Sequence, residues 1–143
     1  MIQETKELAE GIVHSKYFHE LRDYWKRLDL VIVGVGGPLS YQKSQWRDLL
    51  SAEDFEELKL REAVGDCCCR FYDSDGKLLN GSLNQRTIGI SLETLADVPQ
   101  SVGIARGVTK ARSIVPLLKK GSLKTLITDQ ETAKEILRLN QRK

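Results

Sequence analysis

The chain has 143 residues, a formal net charge of +2, and 41% hydrophobic and 29% charged residues, the make-up of one globular domain able to bury roughly two-thirds of its unfolded surface. Its Lys and Arg are scattered, so no basic stripe marks a nucleic-acid footprint, and no apolar run approaches the ~20 residues that span a bilayer. The amino terminus lacks the apolar core of a signal peptide, so the chain reads as cytoplasmic.

Residues 3–14 carry Leu8 and Ile12 four apart, with Gly11 between them, and predict a short helix. Residues 15–28 predict a second helix, with Ser15 as its cap and Tyr17, Leu21, Tyr24, Trp25 and Leu28 on one face. That aromatic stripe reads as a core face or an interface. His14 and His19 have no metal-binding pattern around them and read as helix-surface residues.

Leu30-Val31-Ile32-Val33 is a continuous apolar, mostly β-branched run, which predicts a strand buried on both faces of a parallel sheet. It enters a bend containing Gly34, Gly36 and Gly37. Ligands of open α/β sheets bind outside the carboxyl ends of such strands, so the bend is either a ligand-contact site or a plain turn. A polar loop from Pro38 to Ser44 and a short helix over 44–50 follow. Ser51-Ala52-Glu53-Asp54 reads as a capping box for a helix ending near Ala63, with Gly65 past its end.

Residues 66–72 predict the second strand. It contains Cys67, Cys68 and Cys69, which read as small buried strand residues and not as a disulfide framework or a zinc site. Asp73-Ser74-Asp75-Gly76 is a turn signal, with Lys77-Leu78-Leu79 returning as a hairpin strand. Thr87-Ile88-Gly89-Ile90 reads as a strand and Ser91–Leu95 as a helical turn. The last third alternates: strand 101–105, helix 109–120 with Gly121 as C-cap, strand 123–128, and a helix capped by Asp129 with Ala133, Ile136 and Leu137 facing inward. Pro116 conflicts with the 109–120 helix, where it costs ~3 kcal/mol; the helix kinks or its boundaries lie elsewhere. The pattern is that of a doubly wound α/β sheet.

A dinucleotide fingerprint over this bend needs a third glycine at position 39, where Leu39 stands, and no GK[ST] follows a glycine bend. Neither cofactor nor metal is expected. Asp66 reads as a carboxylate able to accept two sugar hydroxyls, or as an exposed turn aspartate. Arg106-Gly107-Val108-Thr109-Lys110 runs from a strand end into a helix start. Free N–H groups, Lys110 and Arg106 together make it the best anion-site candidate in the sequence, the alternative being a solvated lysine. No nucleophile–base pair of recognisable spacing is present.

Several stretches match one family in order: Leu28–Pro38, Ala63-Val64-Gly65-Asp66, Arg70–Gly76, Ile88-Gly89-Ile90 with Leu92 and Leu95, and Leu126-Ile127-Thr128-Asp129. The sequence resembles the carboxyl-terminal part of the effector-binding domain of SorC-type bacterial transcriptional regulators. That resemblance implies a Rossmann-like sheet of the ribose-phosphate isomerase and glucosamine-phosphate deaminase fold, used to bind a phosphorylated sugar. It also implies a homo-oligomer (dimer or tetramer), and operator DNA contacted only through an amino-terminal domain absent here. The family's acidic sugar contact falls on Asp66 and its phosphate-side lysine on Lys110. Gly36 and Gly37 floor the pocket, and the following loop offers Gln45 or Arg47, with Ser44 a looser counterpart. Arg106, Gly107 and Thr109 complete the expected set. Two departures stand out: Arg106 precedes a single Gly107 where the family usually has two glycines, and Pro116 interrupts an otherwise apolar helix. The family's phosphate loop is also expected to be missing. The alternative is an enzyme of the related isomerase or deaminase fold with Asp66 as base.

Overall fold

The computed structural model describes residues 1–39 and 49–141. The loop expected from Pro38 to Ser44 and the helix expected over 44–50 fall largely outside the described residues. Helices α1 (Lys6–Val13) and α2 (Lys16–Trp25) lead in. Thr5 caps the first, and Ser15 caps the second by accepting from the Phe18 N–H. No residue of α2 is buried. Tyr17 is 85% exposed, while Phe18 and Trp25 meet edge to face at 5.6 Å. Trp25 and Leu28, at the carboxyl end of the stripe, pack against the core, while Tyr17, Leu21 and Tyr24 are exposed, so only that end is a core face.

Strand β1 (Leu30–Gly34) pairs in parallel with β4 (Gln100–Ile104), and β4 with β5 (Thr125–Ile127), giving the order β1-β4-β5. Side chains in register on a parallel sheet share a face. One face carries Val31, Val33, Ser101, Gly103 and Leu126 and turns to the core. A Cβ on Gly103 would lie 2.7 Å from Leu123, so only glycine fits under that buried leucine. The other face sets Leu30, Ile32, Val102, Ile104 and Ile127 beside the polar Gln100 and Thr125 and is open. The expectation of a strand buried on both faces fails, because among the described residues no helix lies over this side.

Between β1 and β4 the chain forms α3 (Ala52–Leu60), the hairpin β2 (Gly65–Cys67) and β3 (Arg70–Tyr72), and the short helices α4 (Ser82–Gln85) and α5 (Leu92–Asp97). The Ser51 capping box is complete, with Ser51 and Asp54 bonding each other's backbone N–H. The helix ends earlier than expected, and Glu62 rather than a glycine takes the left-handed conformation (φ 55°). The single strand expected over 66–72 is a hairpin instead. Cys68 and Cys69 form its turn at φ 55° and 62°, as a two-residue turn matched to strand twist requires. Only Cys67 is a buried strand residue. Residues 87–90 are not a strand. Their backbone partners lie elsewhere: Thr87 makes an isolated bridge with Ile2, Ile88 exchanges hydrogen bonds with Met1, and the Gly89 carbonyl accepts from the Arg70 guanidinium.

After β4, a 3-10 turn (Val108–Lys110) leads into α6 (Ala111–Lys119), and after β5 comes α7 (Gln130–Gln141). Helix α6 continues through Pro116 without interruption, and Gly121 (φ 75°) follows its end. Asp129 caps α7 through the Thr132 N–H. Ile136 packs on the core, but Leu137 points to solvent and Thr132 is the buried residue of that helix. The main core gathers Val35, Cys67, Tyr72, Leu95, Ile114, Leu117 and Leu123; a second cluster holds Leu50, Leu58, Phe71 and Leu83. Among the described residues no helix is long and apolar enough to cross a membrane.

Candidate binding site

The site forms where β1 and β4 end. Beyond Gly34, Val35 bridges Cys67, and the Gly36 N–H donates to the Asp66 carbonyl at 2.8 Å. The hairpin is thereby stitched to the glycine bend, and Asp66 is buried directly behind it. Helix α6 holds the hairpin from the other side. The Ser113 hydroxyl donates to the Val64 carbonyl, and the Tyr72 hydroxyl donates to the Ser113 carbonyl at 2.8 Å. A Cβ on Gly65 would stand 2.5 Å from Ser113 Cβ and 2.8 Å from the Gly36 oxygen. Glycine is required there by close approach, and not as the helix stop expected from sequence.

Lys110 crosses the bend. Its stem lies against Gly37, where a Cβ would meet Lys110 Cγ at 3.0 Å, and its ammonium donates to the Val35 carbonyl at 2.8 Å. The structure thus joins four of the expected residues: Gly36, Gly37, Asp66 and Lys110. Arg106 and Lys110 border a cleft of about 430 Å³ at the ends of β4 and β5, walled by Ile104, Ala105 and Ile127 and closed by Thr128 and Asp129. The Thr128 hydroxyl oxygen is buried and has no hydrogen-bond partner among the described residues.

Gly107 makes the turn between Arg106 and Lys110 at φ 115°, a conformation suited to glycine. Its N–H donates to the hydroxyl of the fully buried Thr132 at 2.8 Å. Helix α7 therefore anchors the Arg106–Lys110 turn through that bond. Hydrogen bonds from Thr132, with the Arg106 guanidinium adding to them, hold the Asp129 carboxyl below the usual carboxylate range. Thr109 is exposed on the 3-10 turn and does not border the cleft.

The helix start expected at Thr109 lies at Ala111. The Lys110 N–H bonds back to Gly107 and tightens the intervening residues into a 3-10 turn. Ser44, Gln45 and Arg47 lie outside the described residues. Sequence reasoning missed Thr128 and Thr132 and took Asp129 only as a cap; the strand-end rule, applied to β5 as it was to β4, points to Thr128 and Asp129. Among the described residues no group of three or more His, Cys, Asp or Glu could hold a metal ion. In the hairpin, the hydrogen bond with Cys68 and burial push the Cys67 thiol up, and the same bond lowers that of Cys68.

A profile of the family described as "Putative sugar-binding domain" matches residues 1–138. The chain is 32% identical over 131 residues to the sorbitol operon regulator of Klebsiella pneumoniae, covering 92% of this chain and 42% of that protein. It is 33% identical over 133 residues to the erythritol catabolism regulatory protein EryD of Brucella abortus (strain 2308), covering 93% and 42%. The crystal structure of a transcriptional regulator from Streptococcus pneumoniae TIGR4 superposes with a TM-score of 0.92 at 44% identity, covering 98% of this chain and 53% of that one. The chain therefore spans less than half the length of these curated relatives.

Proposed function

This chain belongs to the sugar-binding-domain family, and we propose that it is the effector-sensing part of a bacterial transcriptional regulator of carbohydrate metabolism, with a phosphorylated sugar as effector. The observation that carries this reading is Lys110 laid across Gly37 with its ammonium at the Val35 carbonyl. It places a cation at the carboxyl end of β1, with Arg106 on the same cleft. Two cations at strand ends suit the phosphate, and the buried Asp66 and the Thr128 hydroxyl suit sugar hydroxyls. Gln45 and Arg47 are assigned to the same ligand by the family resemblance alone.

On this reading the effector is bound and not turned over. The relatives are named as regulators, and both histidines sit on or beside the first two helices, His14 bonding the Glu10 carbonyl of the helix it caps. The sheet is a doubly wound one of the isomerase and deaminase kind, of which this chain is the carboxyl-terminal portion. The regulator assembles as a dimer or tetramer and meets operator DNA through a separate domain.

Thermal-shift titration with a panel of phosphosugars tests the reading. A ligand at 100 times its Kd adds about 2.7 kcal/mol to the native state, about 8 °C in Tm for a chain of this size. The panel is run on this chain alone and on the chain joined to the unmatched part of the S. pneumoniae relative's domain. No rise with any phosphosugar in either form overturns the proposal.

A further inference from the structure

The turn of the β2–β3 hairpin is made of thiols. Cys67 ends β2 fully buried, and Cys68 and Cys69 follow half-buried in the turn. Both turn residues hold left-handed backbone, which is costly for residues other than glycine, and strain of this kind clusters at functional sites. The turn is clamped, since a Cβ on Gly89 would stand 3.1 Å from the Cys68 carbonyl. Arg70 comes next, its guanidinium fixed by donation to the Asn84 carbonyl at 3.0 Å and the Gly89 carbonyl at 3.1 Å. Its Nε–H is buried and has no hydrogen-bond partner among the described residues. That fixed cation acts on both Cys68 and Cys69. The Cys67 thiol donates to the Cys68 sulfur, and this bond, with Arg70 adding to it, draws the Cys68 thiol below its ordinary range. The thiolate, and not the thiol, is the nucleophile.

We propose that Cys68 is a modification site, a thiol that hydrogen peroxide oxidises to a sulfenic acid, with Cys67 and Arg70 as its positioning residues. The Cys68 thiolate attacks one peroxide oxygen, and an S–O bond forms as the O–O bond breaks. Sulfur gives up two electrons, and the displaced hydroxide takes a proton from solvent and leaves as water. The neighbouring thiols do not capture the product as a disulfide. Successive Cα atoms lie about 3.8 Å apart, short of the roughly 4.4–6.8 Å that disulfides span. The modified turn adjoins the glycine bend: Cys67 bridges Val35, whose carbonyl holds the Lys110 ammonium, and the Asp66 carbonyl holds the Gly36 N–H. The oxidation itself does not depend on what the cleft binds.

The test treats the whole chain, reduced and freed of reductant, with equimolar hydrogen peroxide at neutral pH. Dimedone traps sulfenic acid, and the reaction is run on the folded chain and on the chain unfolded in urea. Tandem mass spectrometry of the tryptic fragment Glu62–Arg70, which holds all three thiols, assigns the adduct. An ordinary thiol is only about 3% ionised at neutral pH, which leaves room for a roughly tenfold faster reaction in the folded chain. The expected result is that acceleration, with one adduct, on Cys68. Cys68→Ser removes the adduct without moving it to Cys69, and Cys67→Val slows the reaction towards the unfolded rate; circular dichroism checks that each variant folds. The comparison of folded with unfolded chain needs no variant. A folded rate no faster than the unfolded one overturns the proposal. So does an adduct shared evenly between Cys68 and Cys69, or a loss of two hydrogens with no adduct, the mark of a disulfide between neighbours.

Discussion

Lys110→Met separates the charge of Lys110 from its bulk. Methionine keeps an unbranched stem packed over Gly37, but the donor to the Val35 carbonyl is lost. A hydrogen bond from a charged donor contributes about 1.5–3 kcal/mol. Lys110 is only half-buried, so the cost to the free protein is nearer 1 kcal/mol, about 3 °C in Tm. The cost to the complex is larger, because the phosphate keeps its charge and loses a partner: about 2–3 kcal/mol, or roughly 30–150-fold in Kd. Isothermal titration with the best phosphosugar and with its unphosphorylated parent sugar distinguishes the roles. The phosphosugar should lose that factor and the parent sugar less than about threefold. Equal losses for both ligands, or none for either, would refute a phosphate role for Lys110.

Arg86→Met leaves the Asp54 carboxylate buried without its guanidinium, and urea unfolding should show a loss of about 3 kcal/mol; a loss under about 1 kcal/mol contradicts the pairing. Burial, with Cys67 and Asp66 adding to it, pushes the Tyr72 phenol well above its ordinary value. Its contribution to stability is therefore complete below the free phenol's pKa of about 10 and declines as pH rises beyond it. Tyr72→Phe should flatten the fall in stability above about pH 10 and cost about 1 kcal/mol at neutral pH, from the lost bond to Ser113; an unchanged alkaline slope counts against it. Replacing Cys68-Cys69 by Asn-Gly, the residues that two-residue hairpin turns favour, should raise stability by about 1–2 kcal/mol by relieving two left-handed non-glycine residues; a destabilised double variant means that the thiols contribute packing the turn cannot spare.

The side-chain-capped helix starts could be read from sequence because such caps are local. Ser15, Ser51, Ser91 and Asp129 each bond an N–H three residues on, so the residue type and its position suffice. The hairpin could not be read. Cys68-Cys69 carries no turn signal, and what fixes the reversal is distant in sequence: Val35 paired with Cys67, and Gly89 leaving room for the Cys68 carbonyl. Leu137 misled for a related reason, since helical spacing marks an apolar face but not whether anything packs on it. At the site, Asp66 and Lys110 were candidates from the residues alone, and the family resemblance gave them the sugar and phosphate roles. Their junction through Val35 and Gly36 depends on the hairpin, and so was hidden with it.

Helix α6 explains why the departures from simple patterning fall together. Lys110 at its N-cap reaches the glycine bend, its first turn holds Ser113 between Tyr72 and Val64, and its second half carries Pro116. Proline there forfeits one helical hydrogen bond. The Asp73–Gly76 turn docks on that stretch: a Cβ on Gly76 would come within 3.0 Å of the Pro116 carbonyl and 3.3 Å of its Cβ. The proline ring is buried, so its cost is set against packing that ties the turn following β3 to the helix. The open end of the β2–β3 hairpin is thus held to α6 twice, at Gly65 by Ser113 and beyond Tyr72, at Gly76, by Pro116. Asp66 and Lys110 are consequently held on one rigid frame, and a ligand bridging them would meet a distance set before it arrives.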